Sequence, residues 1–270
     1  MKPTAIISGG TGGLGQAFGA ILRANGWFTV ILCLPGPQLD ALRSTPDTLA
    51  IPCDITDSAA LLEAAQVIRE HRPSIDLVVY NAGITHIGPF THQTLPDHRK
   101  VFEVNYFGAV AMAKEFGPDV RRSKGTHLAI SSVAGFCPLA LRTAYAGSKH
   151  ALEGFFKSLR SEERQHGVSC LIAAPSFIAT NTDAGTPKNS GIARPGSASD
   201  QVDAMTPAQA AETLYRGLKR RRDFIPIGRV ARLSNWINRL SPGLYQRLME
   251  RAILAQASQK PGGQTTPHGL

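Results

Sequence analysis

The chain has 270 residues, 43% of them apolar, and a formal charge of +9 at pH 7. This length and composition support one sizeable core, and no run approaches the ~20 apolar residues of a membrane-spanning helix. Nearly all the excess charge sits late: from Arg216 to Arg251 ten basic residues oppose only Asp223 and Glu250, and the first 200 residues are close to neutral. That placement argues against nucleic acid as a partner, because a nucleic-acid protein carries its basic stripe on its main fold.

The chain order alternates strand and helix. Ala5–Ser8 reads as a short buried strand, followed by a glycine run and a helix through Ala17, Ile21 and Leu22. Phe28–Leu34 and Thr48–Cys53 are the second and third strands, with an amphipathic helix over Ser58–Glu70. Ile75–Tyr80 is the fourth strand, Pro96–Val120 a long helix, Thr126–Ser131 the fifth strand, Thr143–His166 another long helix and Val168–Ala174 the sixth strand. A helix over Thr206–Lys219 and a short strand at Phe224–Pro226 close the series. This alternation predicts an α/β fold: a doubly wound parallel sheet of about seven strands with helices on both faces, a Rossmann fold. Asn181–Met205 is rich in Gly, Pro, Ser, Thr and Asp and reads as a lid. Beyond Gly228 a basic helical extension over 229–257 is expected to pack on the 1–228 domain, and 258–270 to be disordered. The four cysteines (Cys33, Cys53, Cys137, Cys170) are far apart and form no Cys-x-x-Cys, so neither a disulfide framework nor a metal site is expected. With no signal-peptide pattern before Thr4, the expected setting is cytoplasmic.

Ser8-Gly9-Gly10-Thr11-Gly12-Gly13-Leu14-Gly15 joins the first strand to the first helix. Glycines let the backbone turn tightly and approach a pyrophosphate, and the helix N-terminus offers free N–H groups. The run lacks the lysine of a triphosphate loop, so a dinucleotide is the expected ligand. An NAD site usually adds an acidic residue about 20 positions on. That place holds Cys33-Leu34-Pro35, with neither a carboxylate nor an arginine.

Tyr145 and Lys149 are four apart and share one helix face. A nearby ammonium favours a phenolate, so Tyr145 is a candidate proton donor or acceptor. Alone the pair is weak, arising by chance in about one such chain in five. Ser131-Ser132 ends the fifth strand and Asn81-Ala82-Gly83 follows the fourth, both at the carboxyl edge where such sheets bind ligands, and Asn105 lies in the next helix.

With these pieces in this order, residues 3 to 228 resemble the short-chain dehydrogenase/reductase family, single-domain Rossmann oxidoreductases. The resemblance implies a hydride transfer between NAD or NADP and a carbonyl or alcohol. Ser132 would steady the substrate oxygen, and Tyr145 would exchange the proton. Lys149 would hold the cofactor ribose and lower the tyrosine pKa, and Asn105 would keep a water that links Lys149 to solvent. It further implies cofactor contacts from Ser8, Gly9, Thr11, Gly13, Leu14 and Gly15, from Cys33 and Leu34, from Asp54 and Ile55 at the adenine, and from Asn81, Ala82 and Gly83. Past the sixth strand Pro175, Ile178 and Thr180 would complete them. Pro175-Ser176 stands where the family usually has Pro-Gly. With no carboxylate to repel a 2′-phosphate the reading leans to NADP.

The same resemblance makes Ser132, Phe136, Leu139, Tyr145 and Phe177 the expected substrate contacts and places Phe136–Leu141 along the pocket, whose apolar residues then imply a small-molecule apolar carbonyl or alcohol as substrate. Two alternatives stand beside this: reduction of 3-oxoacyl chains on an acidic carrier, or nucleotide sensing without catalysis. In the extension, Val230, Leu233, Ile237 and Leu240 share a helical stripe, and Leu244, Leu248 and Ala252 follow after an N-cap at Ser241. This basic amphipathic segment would pack on the domain or a partner subunit, or contact an anionic membrane or acidic partner. The family resemblance implies a homodimer or homotetramer built through the two long helices.

Overall fold

The computed structural model describes residues 1–180, 191–196 and 204–258. Nine helices and nine strands are seen among them. The main sheet contains β1 (Thr4–Ser8), β2 (Phe28–Cys33), β3 (Thr48–Pro52), β4 (Leu77–Tyr80), β6 (Thr126–Ile130), β7 (Ser169–Pro175) and β9 (Phe224–Ile227). All seven are parallel, in the order β3-β2-β1-β4-β6-β7-β9. β1, β4 and β6 are wholly buried, as expected of strands covered on both faces, so their sequences are nearly unbroken apolar runs. In register, Ile6 sits between Val30 and Val78.

Helices α3 (Ser58–His71), α5 (Gly108–Ser123) and α6 (Thr143–Glu163) cover one face, where Ile68, Met112, Phe116 and Phe156 build a core with Val30 and Val78. Helices α1 (Gly13–Ala24) and α7 (Pro207–Lys219) cover the other, with Phe18, Leu22 and Leu214 against Ile7 and Val79. The chain reverses direction across the sheet between β1 and β4, which opens a crevice at their carboxyl ends. The helix starts follow local chemistry. Asp57 accepts from the Ala59 and Ala60 N–H groups at the head of α3. Thr206 and Gln209 form a capping box on α7, with Pro207 in its first turn.

Four expectations need correction. The helix expected over Pro96–Val120 is α4 (Leu95–Phe102), a π turn at Glu103–Phe107 and α5. Three short elements were not foreseen: α2 (Pro37–Leu42), and the antiparallel pair β5 (Thr85–His86) with β8 (Ile192–Ala193). Such brief elements carry too few residues to show a period. In α8 (Arg229–Leu240) the expected stripe is split: Val230 and Ile237 are half-buried, whereas Leu233 and Leu240 face solvent. α8 instead turns Ala231 and Ser234 inward, with Asn238 donating to the Phe136 carbonyl at 2.7 Å. In α9 (Pro242–Ser258) Leu244 and Leu248 are likewise exposed rather than an inner face. Most of the expected lid and the tail from 259 on lie outside the described residues. No helix among the described residues is long and apolar enough to cross a membrane.

Candidate active site

The glycine turn is shaped by contacts that leave no room for a side chain. Gly9 adopts φ +62°, and a Cβ there would lie 2.9 Å from the Ala82 Cα. A Cβ on Gly13 would lie 2.7 Å from Thr180, and one on Gly15 2.7 Å from the Gly9 carbonyl. α1 therefore starts flush against the ends of β4 and β7. Its N-cap, Gly12, supplies no side-chain hydrogen bond, and its first turn has no acidic residue. Free N–H groups and the helix dipole at this point suit a pyrophosphate.

Ser8 and Asn81 brace the turn. The Ser8 hydroxyl accepts from the Asn81 and Ala82 N–H groups, both at 3.1 Å, and the Asn81 amide donates to the Ser8 and Gly9 carbonyls at 3.0 Å. Both residues were expected at the cofactor; their polar groups make these bonds between the ends of β1 and β4. Leu14 is buried in the α1 core. At the end of β2 the Thr11 hydroxyl and the Cys33 thiol lie 2.8 Å apart, and Leu34 is exposed. Asp54 accepts from the Thr56 N–H and hydroxyl, and Ile55 packs against Gly108 within the core. The Ile55 side chain thus supports the site from below.

The proton-handling residues meet at the same sheet edge. Ser132 follows β6, and its Oγ accepts from the Ala134 N–H at 3.2 Å, which leaves its own proton available to a neighbouring oxygen. Tyr145 and Lys149 lie one turn apart on α6, both buried, with the Lys149 Nζ 5.8 Å from the centre of the tyrosine ring. One of the three Lys149 N–H donors goes to the Ile130 carbonyl at 2.8 Å. Asn105 sits in the π turn and is fully buried. Its Oδ1 accepts from the Ile84 N–H, and its Nδ2 donates to the Ile84 carbonyl and to the Ser148 hydroxyl. Ser148 donates in turn to the Tyr145 carbonyl at 2.8 Å. Asn105 therefore ties the segment after β4 to α6. A local π turn inside a helix commonly marks such a site.

Burial controls the titration here. It raises the Tyr145 pKa above the usual phenol value, against the Ser132 hydrogen bond and the positive charge of Arg142. Burial also lowers Lys149 to about 8, against the Glu153 carboxylate, which works to hold the ammonium charged. At Tyr145 desolvation outweighs the opposing pull of Ser132 and Arg142.

Glu153 is the most informative residue that the motif reading missed. It lies one turn beyond Lys149, is buried, and accepts from Ser131 at 2.8 Å and from Lys157 at 2.7 Å. A Cβ on Gly135 would lie 2.2 Å from the Ser131 Oγ and 2.5 Å from the Glu153 Oε1, so only glycine fits. The four-residue spacing of Tyr145, Lys149, Glu153 and Lys157 was the available signal.

Pro175 ends β7, Ile178 is buried and bridges Met205, and the Thr180 hydroxyl donates to the Pro195 carbonyl at 3.0 Å. The described part of the expected lid thus folds back over Thr180 and pairs with β5. Of the expected substrate contacts, Leu139 and Phe177 are half-buried. Phe136 packs edge-on against Phe224, with ring centres 5.6 Å apart. It belongs to the packing beneath α8, where the Cys137 thiol donates to the Ser234 carbonyl at 3.9 Å.

Comparison with known proteins fits this geometry. A family model described as short chain dehydrogenase matches residues 3–191. Dehydrogenase/reductase SDR family member 7B of Bos taurus is 33% identical over 266 residues, covering 90% of this chain and 79% of that protein. Its counterpart in Mus musculus is 29% identical over 258 residues, with the same coverage. Two solved structures share the fold. A short-chain dehydrogenase from Burkholderia cenocepacia J2315 in complex with NADP has a TM-score of 0.75 at 20% identity, covering 96% of this chain and 98% of that one. A short-chain dehydrogenase/reductase from Burkholderia phymatum in complex with NAD has a TM-score of 0.74 at 20% identity, covering 98% of each chain.

Proposed function

The chain belongs to the short-chain dehydrogenase family, and on that premise we propose that it reduces the carbonyl of an apolar small molecule, with Tyr145 as the proton donor. The observation that carries this reading is the burial of Tyr145 and Lys149 one helical turn apart on α6, with Ser132 at the end of β6 pulling the Tyr145 pKa down, at the edge where the glycine turn opens. The nicotinamide cofactor, when bound, supplies or accepts the hydride. Gly9, Gly13 and Gly15 would admit its pyrophosphate, with Lys149 toward its ribose.

Ser132 and Tyr145 both donate to the substrate oxygen and so stabilise its developing negative charge. Tyr145 then releases its proton to that oxygen. Burial keeps the phenol protonated at neutral pH, which favours the reductive direction. The ammonium of Lys149 and the charge of Arg142 balance the phenolate left behind. Asn105 holds Ile84 and Ser148 in place, and a water beside it would return the proton from solvent. Half-buried Leu139 and Phe177 suit an apolar substrate.

For the cofactor the reading leans to NADP, because the end of β2 offers the neutral Thr11–Cys33 pair and no carboxylate. Fluorescence titration with NADPH and NADH tests this, and a strong NADH preference reverses it. Tyr145→Phe tests the chemistry on a carbonyl-substrate panel. Turnover should fall by at least about a hundredfold while cofactor affinity stays near that of the parent. Retained turnover sinks the assignment.

A further inference from the structure

The outer faces of α8 and α9 carry an arrangement that the hydride chemistry does not use. On α8, Leu233, Trp236 and Leu240 recur at helical spacing and point to solvent, with Trp236 68% and Leu240 77% exposed. Arg232 and Arg239 flank them on the same exposed side of the helix. On α9, exposed Leu244 and Leu248 are flanked in the same way by Arg247 and Arg251. Glu250, the one carboxylate among the described residues of the two helices, stands three residues beyond Arg247 and accepts from Gln246. Each helix thus shows solvent a strip of large apolar side chains edged by arginines.

We propose that this surface docks on an anionic lipid bilayer. Five large apolar side chains exposed on two adjacent helices are unusual for a monomer surface. The flanking arginines suit lipid phosphates, with their stems along the acyl boundary and their heads in the headgroups. A tryptophan among them matches the residue type that gathers at the membrane interface. A second copy of the same face is a poor occupant, because a two-fold contact would bring arginines against arginines. The sequence from Pro261 to Leu270 is mostly polar and does not match a strip of five large apolar groups. On its inner side α8 holds the Phe136–Cys137 segment through Asn238 and Ser234. On the function proposed above, the bilayer would therefore lie next to the substrate side and present an apolar substrate from the lipid. The docking itself does not depend on that function.

The test is sedimentation of the full chain with vesicles of phosphatidylcholine alone and of phosphatidylcholine mixed with phosphatidylserine. The chain should partition onto the mixed vesicles and far less onto the neutral ones. Replacing Arg232, Arg239 and Arg247 together by Gln should lower partitioning roughly a hundredfold. Leu233→Ser/Trp236→Ser/Leu240→Ser should lower it by at least about tenfold at unchanged thermal stability and unchanged turnover of a water-soluble carbonyl. Binding that ignores lipid charge, or binding untouched by both variants, overturns the proposal. So does the absence of vesicle binding combined with a leucine-dependent dimer in light scattering, which would assign the face to a second copy.

Discussion

At the level of single residues, the site is a line of charge along one helix. Glu153 works to keep Lys149 protonated in a place where burial alone drives it down to about 8. Removing that carboxylate should lower the Lys149 pKa further. In Glu153→Gln, the alkaline fall of kcat with pH should therefore start at lower pH than in the parent. Turnover should drop about tenfold near pH 8 and much less near pH 6.5, in proportion to the lost ammonium fraction. Glu153→Asp should partly restore the profile. A pH–rate curve that does not move would make Glu153 a purely structural residue. Gly135→Ala tests the neighbouring contact: its methyl would drive into Ser131 and Glu153, at a cost of about 1–3 kcal/mol in denaturant unfolding. Tyr145, Lys149 and Ser132 were legible from spacing and order. The balance of forces on their protons was not, because desolvation depends on what covers a side chain and spacing does not show that.

At the level of elements, β6 carries a titration of its own. His127 is buried, and its Nδ1 shares a hydrogen bond with the Tyr80 hydroxyl at 2.6 Å. Desolvation lowers its pKa to about 4. Its folded-state value lies below the unfolded one, so the unfolded chain binds the extra proton first. The contribution to stability is complete above about pH 6.5 and is lost as pH falls toward 4. Urea unfolding should show a loss of about 2 kcal/mol between pH 6.5 and 5 from this group. His127→Gln, which keeps a hydrogen-bonding group beside Tyr80 and cannot titrate, should flatten that slope; an unchanged slope would assign it elsewhere. The π turn between α4 and α5 shows a limit of periodicity. Val101, Ala109, Met112 and Phe116 are all buried and keep one apolar side along the whole stretch, so the pattern reads as one helix. The ladder shifts at Asn105, whose side chain is held by three hydrogen bonds to Ile84 and Ser148. α8 shows a related limit: a repeat of Val230, Leu233, Ile237 and Leu240 identifies a stripe, but the sheet and the Phe136 segment decide how much of it turns inward.

At the level of the whole molecule, exposed Phe107, Leu95 and Phe90 mark the surface near α4 and the start of α5. Of these, Phe107 lies within 96–120, one of the two long helices through which a dimer or tetramer was expected. Light scattering should give a dimer or larger assembly, and Phe107→Asp should shift it toward monomer. A monomer for the parent chain would remove this surface from consideration.

The alternation of apolar strand and amphipathic helix, with the glycine turn first and the Ser–Tyr–Lys set last, was sufficient by itself for the parallel sheet and the residues at its carboxyl edge. Parallel strands buried on both faces must be apolar runs, and a tight turn at a helix start must be glycine; both constraints are local and so appear in the sequence. Tertiary structure alone decided which polar groups are already used, as with Ser8, Asn81 and Asn105, and which charges burial disfavours, as with Lys149. It also decided that Leu233, Trp236 and Leu240 face outward. Each of these depends on neighbours distant along the chain, and a residue's own spacing carries no record of them.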